Sequence, residues 1–104
     1  MKLFHINELE ENQSKGFTLN NTALFAVKRD NQIYLYTNDC PHLGITLEFQ
    51  ADKFLDLDNY FIECSNHGAL FEVENGECIS GPCLGQNLEP YPFEIRDGYV
   101  EVKS

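Results

Sequence analysis

Two short stretches hold the side chains best suited to chemistry: Cys40-Pro41-His42-Leu43-Gly44 and Cys64-Ser65-Asn66-His67-Gly68. Each offers one thiolate and one imidazole. Two sulfurs and two nitrogens suit two metal centres, a tetrahedral zinc ion or a [2Fe–2S] cluster with Cys on one iron and His on the other. A single ion needs all four side chains to converge on a point. A cluster lets each loop send its Cys to one iron and its His to the other, so two similar loops grip it from either side. The near-repeat of the two stretches fits that clamp. A Cys2His2 zinc module, acting as a structural or interaction element, is the alternative from another class.

The loops need strands to hold them. Lys2 to Leu9 starts apolar and runs into the acidic turn Glu8-Leu9-Glu10-Glu11-Asn12. Thr22 to Lys28 reads as a strand, Asp30-Asn31 as a turn and Ile33 to Tyr36 as the returning strand, rich in aromatic and β-branched residues. This hairpin delivers the chain into the first Cys–His stretch. Tyr60 to Glu63 leads into the second and Ala69 to Val73 leads out. Asn75-Gly76 is the strongest hairpin-turn dipeptide in the chain. Pro90-Tyr91-Pro92 limits the next residues to an edge or entry position in a sheet, and Phe93 to Val102 reads as a hairpin about Asp97-Gly98, alternating on both arms. No stretch keeps helical periodicity over three turns. The pattern predicts an all-β chain, a small antiparallel sandwich or barrel.

Length and charge narrow the classes. The 104 residues make a single domain, 1–104. A net charge of −10 argues against nucleic acid and against an anionic membrane surface, and favours a basic protein partner. No apolar run approaches membrane-spanning length and no charged-then-apolar leader opens the sequence, so a cytoplasmic location is expected. Four cysteines could form two disulfides, but two of them sit beside His in the paired stretches, which points to ligation.

The two stretches resemble the two cluster-binding boxes of Rieske [2Fe–2S] proteins. Cys40 and His42 match the first box, Cys64 and His67 the second, and Gly81-Pro82 matches the loop that covers the cluster in that family. The resemblance spans roughly residues 20 to 104. It implies a cluster-binding subdomain, about 38–83, built on three strands and inserted into the β-framework. It also implies that Cys40 and Cys64 hold a buried iron while His42 and His67 hold an outer one. Two neutral imidazoles in place of two thiolates leave the cluster less negative, so an electron is accepted more easily; the family range is roughly −150 to +300 mV. High-potential members carry an extra Cys in each box and a Ser after the second His-Gly. Here Ile45, Ser65, Asn66 and Ala69 stand in the corresponding region, so the chain resembles the low-potential ferredoxin branch.

The implied function is that of a one-electron carrier from a reductase to a terminal oxygenase or similar redox protein, with no substrate chemistry of its own. An accessory subunit of a larger reductase is a further alternative. The chain is too short to be a complete oxygenase. A Cys–His nucleophile is the weaker reading of Cys64 and His67, because a second Cys–His pair explains both as ligands.

Other features read more blandly. The 21 residues between His42 and Cys64 are expected to form a bulged surface loop with Asp52 to Asn59 at its tip. Asp56 to Asn59 lacks the Gly and distal Glu of a calcium loop and reads as a solvated turn. Cys78 and Cys83 read first as buried small side chains. Leu43, Gly44 and Pro82 would form an apolar collar. The five tyrosines read as core or cross-strand residues, and His5 as a surface residue.

Overall fold

Turn residues able to take positive φ divide the chain into short antiparallel strands. The computed structural model describes residues 2–38, 54–56, 60–64, 68–81 and 84–102. Within them lie β1 (Lys2–His5), a 3-10 turn (Ile6–Glu8), β2 (Ser14–Leu19), β3 (Thr22–Arg29), β4 (Gln32–Thr37), β5 (Ile62–Cys64), β6 (Ala69–Phe71), β7 (Cys78–Ser80), β8 (Glu94–Arg96) and β9 (Tyr99–Glu101). They make three three-stranded sheets, ordered β1-β9-β8, β2-β3-β4 and β5-β6-β7. Three of the hairpin turns have two residues at positive φ: Asn20-Asn21 (49° and 68°), Asp30-Asn31 (54° and 60°) and Asp97-Gly98 (52° and 81°). That geometry matches the twist of the flanking strands, and Asn, Asp and Gly tolerate it best.

The central sheet is covered on both sides. In β3, Leu24 and Ala26 join Phe4, Ile33, Leu35, Val100 and Val102 in one apolar cluster. Their alternating neighbours, Phe25 and Val27, join Tyr36, Phe54, Ile62, Phe71 and Leu88 in the other. The period of two that separates faces along a strand thus assigns each half of β3 to a different core. One core binds the β1-β9-β8 sheet. The other binds β5-β6-β7, the three-stranded unit that the family resemblance implied.

Several contacts tie that unit down. Phe25 and Phe54 stack at 4.5 Å with rings 6° from parallel. Buried Tyr36 donates its hydroxyl to the Val73 carbonyl at 2.6 Å. Burial drives the Tyr36 phenol well above its ordinary pKa, so it stays a neutral donor. At the far end of β3, Arg29 lies over the Tyr60 ring at 5.0 Å and 3.8 Å from the Glu74 carboxylate.

The structure departs from the sequence reading in four places. Strand β2 was not expected, since Lys15, Gly16 and Thr18 dilute its apolar pattern; it forms because it pairs with β3 along its whole length. Residues 54–56 are not a loop tip. Phe54 is fully buried, its carbonyl accepts from Glu63 N–H at 2.9 Å, and Leu55 bridges Ile62. The large ring of Phe54 gains more against Phe25 than the neighbouring acids lose by lying close to the core. Strand β8 does not alternate, because all three of its residues are exposed, Ile95 by 48%. His5 is half-buried: its Nδ1 accepts from Asn7 N–H at 3.0 Å and its ring meets Tyr99 edge-on at 4.8 Å.

Two measurements test these contacts. Tyr36→Phe leaves the buried Val73 carbonyl without its donor, and we expect a loss of about 1–3 kcal/mol in denaturant unfolding. The Glu11 carboxylate accepts from the backbone N–H groups of Asp30 and Asn31, which hold its pKa below the usual 4.5. Its stabilisation is therefore complete above about pH 4.5 and is lost as pH falls through the lower folded value. Glu11→Gln should flatten the pH dependence of melting temperature in that acid window and leave it unchanged near neutrality.

Candidate metal centre

Cys64 ends β5, and its register partner across the hairpin is Ala69, the first residue of β6. Ile62, Cys64, Ala69 and Phe71 all face the core and all are fully buried. Gly68 closes the intervening loop: it takes φ +66°, and its N–H donates to the Cys64 carbonyl at 2.8 Å. The second Cys–His stretch is thus a tight hairpin loop with its sulfur on the apolar side. His67 lies outside the described residues.

The first stretch leaves the end of β4. Asn38 N–H donates to the Ala23 carbonyl at 2.8 Å, fastening the chain to β3 two residues before Cys40. Asn38 is itself buried; the other buried polar or charged residue among the described ones is Arg29. Cys40 and His42 lie outside the described residues.

Gly81, the first residue of the Gly-Pro dipeptide, rests on β6. Gly81 follows β7 with φ +104°, and a Cβ built there would meet the Ala69 Cα at 2.8 Å. Only glycine permits this conformation and this approach. The backbone of Gly81 is therefore pressed against Ala69 at the start of β6. Pro82 and Cys83 lie outside the described residues, as do Leu43 and Gly44 of the expected collar. Leu84, next in the chain, is 66% exposed.

Cys64 offers a sulfur donor in an apolar, water-excluding shell, a setting in which a metal would balance the charge of a thiolate. Among the described residues no three His, Cys, Asp or Glu side chains come together, and three of the four expected ligands lie outside that set. Cys78 is buried opposite Phe71, with its Sγ donating to the Ser80 carbonyl at 3.4 Å, as expected for a packed small side chain. Asp56 Oδ1 accepts from Tyr60 N–H at 2.9 Å and Phe61 N–H at 3.2 Å. Sequence reasoning passed over Asn38 and the Gly81–Ala69 approach, since neither carries a spacing signal.

Comparison with known proteins bears on the same centre. The family model of the Rieske [2Fe-2S] domain matches residues 1–95. The chain belongs to the Rieske [2Fe-2S] domain family, whose domain binds a [2Fe–2S] cluster, and this decides between the zinc and cluster readings. Among solved structures it resembles the ferredoxin of carbazole 1,9a-dioxygenase from Nocardioides aromaticivorans IC177 at TM-score 0.75 and 19% identity, covering 99% of this chain and 97% of that one. The Sphingomonas yanoikuyae B1 ferredoxin is similar at TM-score 0.76 and 23% identity, covering 100% and 97%. The terminal oxygenase of carbazole 1,9a-dioxygenase from Novosphingobium sp. KA1 matches at TM-score 0.79 and 21% identity, over 96% of this chain but 28% of that one. No curated protein sequence matches this chain. No helix among the described residues is long and apolar enough to cross a membrane.

Gly81→Ala should displace the third loop and lower the iron bound per chain. Gly85→Ala is the control, because Gly85 also has positive φ, +90°, but nothing lies within 4 Å of its added Cβ. Iron retention after gel filtration should fall in the first variant and hold in the second.

Proposed function

We propose that this chain is a single-domain electron carrier, 1–104, that takes one electron from a reductase and hands it to a terminal oxygenase or similar redox protein. The family membership supports a [2Fe–2S] cluster held by Cys40, His42, Cys64 and His67. The observation that carries the reading is the position of Cys64: fully buried, at the mouth of a hairpin loop whose outgoing strand is overlaid by Gly81. When bound, the cluster supplies one-electron chemistry at the protein's edge. Cys40 and Cys64 would serve the inner iron. His42 and His67, as neutral imidazoles, would serve the outer iron and offer their edges to a partner. The residues around them exclude water and fix the ligands; none of them transforms a substrate.

Support for an oxygenase partner comes from a similar structure, the complex of reduced oxygenase and oxidized ferredoxin in carbazole 1,9a-dioxygenase, matched at TM-score 0.77 and 24% identity over 99% of this chain and 100% of that one. The net charge of −10 favours basic docking surfaces on both partners. Keeping thiols as metal ligands suits a reducing compartment, the cytoplasm.

The decisive experiment is iron and acid-labile sulfide analysis of anaerobically handled protein, with a reductive titration. We expect two irons and two sulfides per chain, visible absorption that bleaches on reduction, and a midpoint below zero. A colourless zinc protein would refute the reading. His42→Cys should lower the potential or lose the cluster; an unchanged spectrum and potential would remove His42 from the ligand set.

A further inference from the structure

Charge is unevenly placed along this chain. Between Lys53 and Arg96 there is no Lys or Arg, yet that stretch holds eight of the 17 acidic residues. The remainder carries all seven cations against nine acids. The unbalanced stretch includes the whole β5-β6-β7 sheet.

The outer face of that sheet has a distinct composition. Ile62, Cys64, Ala69, Phe71 and Cys78 face the core, so alternation turns Phe61, Glu63, Leu70, Glu72 and Glu77 outward. Glu63 pairs with Leu70, and Leu70 with Ser80. The register then slips: Phe71 pairs with Cys78, which makes Ile79 the extra residue of a β-bulge. Alternation from core-facing Cys78 turns Ile79 outward, 36% exposed, and the bulge keeps Ser80 outward as well, opposite half-buried Leu70. The result is an apolar strip flanked by Glu63, Glu72 and Glu77, running toward Leu84 at the cluster end. Arg29, a described cation from another sheet, is engaged with Asn12, Glu74 and Tyr60.

We propose that this outer face is a docking surface for a basic electron-transfer protein, whose Lys and Arg residues meet Glu63, Glu72 and Glu77 around an apolar contact on Leu70 and Ile79. The proposal rests on the electron-carrier reading and adds the face on which the partner sits. Charge complementarity selects the occupant: a carboxylate-flanked face on which no described residue is a cation repels acidic proteins and a second copy of this acidic chain.

The test uses the cluster-loaded protein and ferricytochrome c, a lysine-rich electron acceptor. The reduced protein gives one electron to the ferric haem, and stopped flow follows the reaction across a salt series. Amide shift mapping of the oxidised pair locates the contact independently of electron transfer. We expect shifts concentrated on Glu63, Leu70, Glu77 and Ile79, and a rate that falls with salt. Changing Glu63, Glu72 and Glu77 together to Gln should lower the low-salt rate roughly tenfold and flatten the salt dependence. Changing Glu10 and Glu101 to Gln and Asp97 to Asn removes the same charge elsewhere and should alter the rate by no more than about twofold. Ile79→Ser should weaken binding without changing the salt slope. Equal effects of the two triple variants, shifts on another face, or self-association of this chain through the face would overturn the proposal. If the electron-carrier reading itself fails, wild type and variants transfer no electron, while the shift map still reports whether the face binds a basic protein.

Discussion

Strand β3 is buried on both faces, and the architecture obeys that constraint. Its successive side chains cannot share one core, because a strand turns each residue to the side opposite its neighbour. Leu24 and Ala26 therefore need a cover on one side, and Phe25 and Val27 need another on the other. The chain supplies the first from its two ends, pairing β1 with β9, and the second from the segment between the Cys–His boxes and Leu88. A sheet of only three strands is marginal alone; sandwiched between two others it becomes the spine of the protein.

This layering explains how a small chain can position a metal centre. Strand β4 runs along the spine and releases the chain beyond Asn38, two residues before Cys40. Strand β5 carries Cys64 on its core-facing side, and the aromatic stack of Phe25 on Phe54 and the Tyr36–Val73 hydrogen bond hold its sheet against the spine. The strands that flank the two Cys–His stretches have their register set by burial. A one-residue slip of β5 would turn Cys64 to the outer face and Glu63 into the core, at the cost of a buried charge.

The same alternation separates two tasks on one small sheet. Its inner row, Ile62, Cys64, Ala69 and Phe71, excludes water from the sulfur. Its outer row, Glu63, Leu70 and Ser80 with bulged Ile79, meets solvent. Negative charge is thus kept on this sheet but on the face opposite the Cys64 side chain. There it can steer a partner without setting a bare carboxylate among the apolar residues around Cys64.

Much of the fold was legible because turn and alternation signals are local. Asp30-Asn31 and Asp97-Gly98 mark two hairpins, and the strand patterns of β3 and β4 announce themselves by composition. Strand β2 was hidden, since Gly16 and Lys15 weaken its pattern and only pairing with β3 selects it. Phe54 was misplaced among its neighbouring acids, because nothing local says that a ring forty residues from Ser14 and nearly thirty from Phe25 will stack in the core. The sequence by itself narrowed the class of protein: two Cys–His boxes and a Gly-Pro dipeptide are covalent facts, their donor atoms limit the metal centre to a zinc ion or a [2Fe–2S] cluster, and the family resemblance points to the cluster. Tertiary structure decided which face of each strand is buried, that Gly81 lies on Ala69, and that the β6–β7 pairing slips by one residue at Ile79. Those outcomes depend on contacts between residues distant in the chain, and packing energy is defined only once they meet.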